Sequence, residues 1–268
     1  MRTLRKWAYY AWSVLEIIGG IQNWPAMLGL LLRRKDVSRH EVILRKPPVR
    51  LAIRGAMDLW AVKETFLDGF YTKYGVPVQD GWTVVDIGAG VGDFSILAAY
   101  SHPRTKVIAY EPFAGSFELL GENIGSNHLE NIFPFEQAVW KKAGLVNLNQ
   151  TDGEPLQISS NRPVESDSAG AGRSVRAVSL QDVLEKQAVE RIDLLKLDCE
   201  GAEYPILMGA AKETLSRVDR IIMEYHDLGE EQNHVALASA LLDAGYRVFT
   251  WQNIVHEEIG YLFATREE

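Results

Sequence analysis

The apolar run Val84-Val85-Asp86-Ile87 passes directly into Gly88-Ala89-Gly90-Val91-Gly92, and a helix-compatible stretch follows. Few arrangements satisfy that order. An unbroken apolar run is a strand buried on both faces, which requires a parallel sheet covered by helices. Gly88 and Gly90 lack a Cβ, so the backbone can turn tightly and a ligand can approach it closely. The turn would lie at the carboxyl end of the first strand, where open α/β sheets bind ligands. The next apolar run, KVIAYE (106–111), ends in Glu111. An acid about 20 residues beyond such a glycine turn can accept hydrogen bonds from both ribose hydroxyls of a nucleoside cofactor.

The alternation continues along the chain. Strands are expected at WTVVDI (82–87), KVIAYE (106–111), NIFPFEQAVW (131–140), IDLLKLD (192–198) and DRIIMEY (219–225). Helices are expected over 92–101, 113–126, from about Ala202, and over 230–244. YRVFTW (246–251) and IGYLFAT (259–265) close the chain as an antiparallel hairpin at the sheet edge. The fold class is therefore Rossmann-like α/β, helices covering both faces. Ahead of it, residues 1–35 read as helical, with a break near Gly19-Gly20 and Pro25. Residues 41–54 read as two short strands flanking Pro47-Pro48, and residues 57–74 as one helix. These segments form an N-terminal cap, residues 1–80, on a main domain, residues 81–268. Residues 150–174, rich in Ser, Gly, Asp and Pro, read as a long loop near the site or as a plain surface loop.

Composition narrows the partners. A net charge of −8 over 268 residues does not suit a nucleic-acid backbone. The single cysteine, Cys199, excludes an intrachain disulfide and four-cysteine metal sites, and fits a cytoplasmic location. Residues 1–35 combine Trp7, Tyr9, Tyr10, Trp12 and Trp24 with basic residues at both ends, but Glu16 interrupts the apolar stretch. That pattern suits a helical lid or homodimer arm packed on the main domain, or peripheral contact with a membrane interface.

The choice of cofactor is electrostatic. The dinucleotide pattern GxGxxG, counted from Gly88, meets Asp93 where its third glycine belongs. Asp86, two residues before the turn, would face an anionic pyrophosphate. A carboxylate there suits the ammonium and sulfonium of S-adenosylmethionine instead. At the other end of the site, Asp198, Glu200 and Glu203 gather at one strand-to-helix junction, and Glu224 and His226 end the following strand. Neighbouring strands lie about 4.8 Å apart, so the two groups meet. Asp198 or Glu200 can orient or deprotonate a hydroxyl, and His226, titrating near neutrality, is a candidate general base. Glu200 and Glu203 can equally stabilise the helix N-terminus. Lys196, in an apolar strand, needs an acidic partner such as Asp86 or Glu224. Cys199 reads as a packing residue. No spacing is diagnostic of a metal, and none is expected.

VVDIGAGVGDFS, AYEP, QAVW, LLKLDCEGAEYPIL and IIMEYH together resemble the FkbM family of class I methyltransferases over roughly residues 49–227, including the lead-in VRLAIRGAMDLWAVKETFLDGFY. The resemblance implies a seven-stranded sheet, S-adenosylmethionine as methyl donor, and O-methylation of a sugar, glycan or secondary-metabolite hydroxyl. It implies that Asp86, Gly88, Ala89 and Gly90 line the methionine moiety and that Glu111 holds the ribose. Phe113 would pack on the adenine, Gln137 and Ala138 would border its ring edge, and Asp198 would face the transferable methyl. Asp58, Lys63, Glu64 and Tyr71 in the lead-in could close over the cofactor, although Lys63 also fits a solvated helix face. Competing readings are a nicotinamide-dependent oxidoreductase, a non-catalytic nucleoside binder, and an enzyme working at a membrane on lipid-linked sugars.

Overall fold

The computed structural model describes residues 2–32, 38–148 and 173–266. The chain opens with α1 (Arg2–Gly20), α2 (Trp24–Leu32) and an antiparallel hairpin of β1 (His40–Ile43) and β2 (Arg50–Ile53). The helix break and the strands flanking Pro47-Pro48 fall where the sequence puts them. The single helix expected over 57–74 is three pieces: α3 (Ala56–Lys63), a π-turn over Glu64–Asp68, and α4 (Phe70–Lys73). Gly69, at φ 63°, ends the π-turn in the left-handed region, which costs glycine nothing. The wider π geometry re-aims Glu64 and Thr65, and such turns concentrate at functional sites.

The main sheet follows. In chain order come β3 (Thr83–Ile87), α5 (Asp93–Ser101), β4 (Lys106–Tyr110), α6 (Ala114–Ser126) and β5 (Ile132–Phe135). Next are β6 (Ala138–Val139), β7 (Gly144–Leu148), β8 (Arg173–Val178), α7 (Leu180–Lys186), β9 (Leu194–Leu197), α8 (Glu203–Gly209) and α9 (Lys212–Leu215). The chain closes with β10 (Arg220–His226), α10 (His234–Asp243), β11 (Arg247–Gln252) and β12 (Ile259–Thr265). Seven strands form one sheet in the order β11-β12-β10-β9-β3-β4-β5. β12 runs antiparallel to both neighbours, and β3, β4, β5, β9 and β10 are parallel. The expected terminal hairpin is present, but its second strand inserts between β10 and β11, so β11 is the edge. Strand order reverses at β3, with β4 and β5 on one side and β9 on the other. That reversal opens the ligand crevice of a doubly wound sheet at the end of β3.

The stretch 131–140 does not continue as one strand. Gln137 N–H donates to Phe135 O at 2.9 Å, and this tight turn sends β6 into a separate three-stranded sheet, β6-β8-β7. The loop expected over 150–174 lies outside the described residues, except that Arg173 and Ser174 begin β8.

Apolar side chains fill both faces of the sheet. Val85 and Ile87 point into one core with Leu195 and Met223. Val84 points into the other, which is continuous with Ile17, Leu30, Leu51 and Leu59 of the N-terminal segments. Two amides fasten the hairpin: Asn127 accepts from Arg50 N–H at 3.0 Å and donates to Arg50 O at 2.7 Å, and Asn123 of α6 accepts from Ala52 N–H at 2.6 Å and donates to Ala52 O at 3.0 Å and Val91 O at 2.9 Å. Asn123 is fully buried, so its loss strands three backbone groups. Asn123→Ala should cost about 2–3 kcal/mol, read as a lower denaturant midpoint at unchanged slope. Among the described residues no helix is long and apolar enough to cross a membrane.

Candidate active site

A cavity of about 260 Å³ opens at the carboxyl ends of β3, β4, β9 and β10. Its floor is the glycine turn. Gly88 has φ +76°, and a Cβ there would overlap the Asp198 carbonyl oxygen, so only glycine lets β3 and β9 approach this closely. Gly90 N–H donates to Glu111 Oε2 at 2.7 Å, and Phe113 N–H donates to Glu111 Oε1 at 2.9 Å. Each carboxylate oxygen keeps a lone pair for a ribose hydroxyl. Burial pushes the Glu111 carboxyl up to about 7 against the pull of these donors. Phe113, Gln137 and Ala138 line the same end of the cavity as Tyr110 and Pro112.

Two residues expected at the methionine end do not reach the cavity. The Ala89 methyl packs into the core below the turn. Asp86 is fully buried under the turn, where Ser95 Oγ donates to its Oδ2 at 2.7 Å and Lys196 Nζ lies 3.0 Å from Oδ1. The register explains the pair, since Asp86 on β3 stands directly beside Lys196 on β9. Lys196 Nζ also donates to Gly88 O at 2.9 Å and lies 4.0 Å from Asp198 Oδ2. Burial alone would lower the Lys196 pKa. The surrounding Asp86, Asp198 and Asp93 outweigh it and hold the ammonium above its ordinary value. Asp86 thus acts on the turn through Lys196.

The opposite wall is acidic. Asp198, Glu200 and Glu224 line it, and Tyr71 Oη donates to Asp198 Oδ2 at 2.9 Å. Asp198 and Glu224 each follow a paired residue, Leu197 and Met223, which sets them side by side. Glu200 sits at φ 52°, in the left-handed region, a strain of order 1–3 kcal/mol that the tight turn at this junction imposes. Burial, with Asp198 and Glu64 nearby, raises the Glu224 carboxyl well above its usual range. Burial also pushes Glu64 up to about 8, against the hydrogen bond that Trp60 Nε1 donates to its Oε1 at 2.8 Å. Of the lead-in residues, Asp58, Glu64 and Tyr71 line the cavity, while Lys63 turns away into a buried ion cluster.

His226 is not in the cavity wall. Its Nδ1 lies 3.6 Å from Glu203 Oε1, and its Nε2 lies 3.4 Å from Glu200 Oε2 and 3.7 Å from Glu224 Oε1. Burial would favour the neutral ring, but Glu203, Glu200 and Glu224 overcome it and push the pKa up to about 10. A ring favoured in its charged form would act on these carboxylates as a fixed positive charge, a second role beside that of general base. Glu203 staples the turn behind it, accepting from Cys199 N–H at 2.9 Å and Gly201 N–H at 2.8 Å. Cys199 is buried and its thiol is pushed well up by that burial, as a packing residue requires. Asp198, Glu224 and His226 bring ligand atoms within 4.8 Å of one another.

Sequence reasoning missed Arg54, Trp60, Thr65 and Ser116, which also line the cavity. Trp60 and Thr65 get there through the packing of α3 and the π-turn, which no local pattern announces. Seven carboxyl residues (Asp58, Glu64, Asp93, Glu111, Asp198, Glu200 and Glu224) thus line a cavity whose cations are Arg54 and Lys196. That lining fits a cationic sulfonium and ammonium and would repel a pyrophosphate, which removes the ground for a nicotinamide cofactor.

These groups predict an unusual pH dependence. Unfolded carboxyls ionise near 4.3, whereas folded Glu111 and Glu64 keep their protons to about 7 and about 8. The folded state binds more protons across that window, so stability falls as pH rises from about 5 to 8. His226 works in the same sense, because its contribution is complete below about 6.5 and is lost as pH rises through about 10. The cofactor-free protein should melt at a lower temperature at pH 8 than at pH 5.5, and Glu64→Gln should flatten the slope. Thermal melts over that range check it.

Residues 86–248 match the model of the Methyltransferase FkbM domain. Across 80% of this chain and 84% of the relative, it is 23% identical to the hexuronic acid methyltransferase AglP of Haloferax volcanii. Across 62% of this chain and 74% of the relative, it is 25% identical to the 31-O-demethyl-FK506 methyltransferase FkbM of Streptomyces tacrolimicus. A 26% match to the AMB antimetabolite synthetase AmbE of Pseudomonas aeruginosa takes in 63% of this chain but only 9% of that much longer protein. The fold is similar to the crystal structure of methyltransferase FkbM from Methylobacillus flagellatus, with a TM-score of 0.50 at 15% identity over 91% of this chain and 59% of the other. The glycine turn, the strand-end Glu111, the sheet order and the domain match agree: the chain belongs to the FkbM family and is an S-adenosylmethionine-dependent methyltransferase.

Proposed function

We propose that the acceptor is a hydroxyl of a sugar or of another oxygen-rich small molecule, and that the product is a methyl ether. The observation that carries this reading is the acidic wall of Asp198, Glu200 and Glu224 beside Tyr71. S-adenosylmethionine supplies an electrophilic methyl group on a sulfonium. What a hydroxyl acceptor then needs is an oriented oxygen and a place for its proton. Carboxylates supply both, as they accept hydrogen bonds from a polyol and take up the proton. Asp198, held by Tyr71, orients the acceptor, and Glu224 receives the proton. An anionic acceptor group would meet the same carboxylates and be repelled. The relative named for 31-O-demethyl-FK506 supports an oxygen-rich acceptor class.

The test is incubation with tritiated-methyl cofactor and a panel of neutral glycans and polyols. Label that survives alkaline hydrolysis in the product supports an ether. Alkali-labile label would mean a methyl ester and would overturn the reading, as would label transferred only to amines.

A further inference from the structure

α1 packs onto the protein through a mixed face of Tyr9, Tyr10, Ser13, Glu16 and Ile17. Tyr9 Oη donates to Asp68 Oδ2 at 2.8 Å, and the buried Lys63 Nζ lies 2.5 Å from Asp68 Oδ1 and 3.1 Å from Glu16 Oε2. Tyr9 and Tyr10 meet the Trp60 ring edge-on, with centroids 6.0 and 5.8 Å away. A helix on a water-soluble surface turns its apolar stripe inward. Here the outward side carries Trp7, Ala11, Trp12, Val14 and Leu15, with Trp7 69%, Trp12 60% and Leu15 59% exposed. Leu32, ending α2, is 87% exposed, and Arg33-Arg34-Lys35 follow it in sequence. Residues 1–35 hold six basic side chains and one acid, against a net −8 for the whole chain.

We propose that this outer face of α1, with the basic residues that flank α1 and α2, docks the enzyme on the surface of an anionic lipid bilayer. Tryptophans beside an aliphatic stripe and flanking cations are what the lipid–water interface favours. The charge decides the occupant. A segment with six basic residues and one acid, on an otherwise acidic chain, is attracted to anionic headgroups while the remainder is repelled, so α1 is the side that meets the bilayer. In that orientation Trp60, which lines the cavity and packs under Tyr9 and Tyr10, lies about one helix diameter, roughly 10–12 Å, from the lipid surface.

The test is flotation of the full chain with vesicles of phosphatidylcholine alone and of two parts phosphatidylcholine to one part phosphatidylglycerol. Wild type should float with the anionic vesicles and release at high salt. Trp7→Ser/Trp12→Ser/Leu15→Ser changes exposed positions only. It should keep its melting temperature and S-adenosylhomocysteine affinity while losing flotation. Arg33→Ser/Arg34→Ser should weaken binding roughly fivefold per charge removed. Wild type that ignores anionic vesicles, or a triple variant that floats like wild type, overturns the proposal. So does a wild-type dimer that the triple variant converts to monomer without any vesicle binding, since a second copy would then cover the face.

Discussion

Lys196→Met is expected to destabilise the protein by about 3–5 kcal/mol, the cost of leaving a buried charge without its partner. Lys196 is the positive centre of a buried arrangement at the floor of the cavity. Its Nζ lies 3.0 Å from Asp86 Oδ1 and donates to Gly88 O at 2.9 Å. Methionine fills the volume and removes the charge, so Asp86 must either take a proton or draw in water. The neighbouring Asp93, already pushed up to about 6 by burial while Lys196 pulls it down, loses the same support. The Gly88 carbonyl is released as well, and the turn that floors the cofactor cavity loosens. Chemical denaturation should show the lost stability, and calorimetry should show weaker S-adenosylhomocysteine binding. Adding Asp86→Asn should recover much of the stability, because a neutral amide tolerates burial better than a lone carboxylate. A single variant as stable as wild type would show that Asp86 is neutral in the folded protein and that the pair contributes nothing. Loss of stability without loss of cofactor affinity would detach Lys196 from the turn's geometry.

What the sequence made legible was local. A strand, a glycine turn and a helix lie within about ten residues of one another, and Glu111 closes the next strand, so periodicity and spacing alone place them on one sheet edge. The side-by-side position of Asp198 and Glu224 follows from parallel register, which strand ends already imply. Asp86 shows where such reasoning ends. Its spacing to the glycine turn suggested a ligand contact, yet strand alternation turns it to the Val84 face, where Lys196 stands beside it. That partner is remote in sequence and was visible only as a lysine in need of an acid. His226 has a similarly hidden partner, because Glu203 lies behind its ring, 3.6 Å from Nδ1. The three-stranded sheet was not legible at all. β6 is two residues long, and its partner β8 lies far along the chain, beyond the Ser- and Gly-rich stretch. The π-turn over Glu64–Asp68 is likewise set by tertiary packing, so Trp60 and Thr65 could not be placed on the cavity wall in advance.

Glu224→Gln is expected to lower kcat by roughly 10²–10⁴, the usual effect of removing a positioned general base. Burial and the nearby Asp198 and Glu64 raise the Glu224 carboxyl, so once ionised it is a stronger base than a solvated carboxylate. A cationic cofactor beside it favours that ionised form, which places the proton acceptor in its active state when the methyl donor is present. His226 Nε2, 3.7 Å away with its pKa raised to about 10 by the surrounding carboxylates, stabilises the same charge when it carries its proton. Glutamine keeps the shape and hydrogen-bonding reach but cannot accept a proton. The variant should therefore fold, bind S-adenosylhomocysteine with wild-type affinity, and lose the rise of kcat with pH expected of the wild type. Asp198→Asn should differ in kind: it disturbs the hydroxyl held through Tyr71, so the acceptor KM should rise along with the fall in kcat. Glu224→Gln activity within threefold of wild type would sink the assignment and move the proton to Glu200, which faces the same cavity from the strained turn after β9. A pH profile that keeps its wild-type shape in both single variants would mean that the acceptor gives up its proton to water, and that the acidic wall positions the hydroxyl without taking its proton.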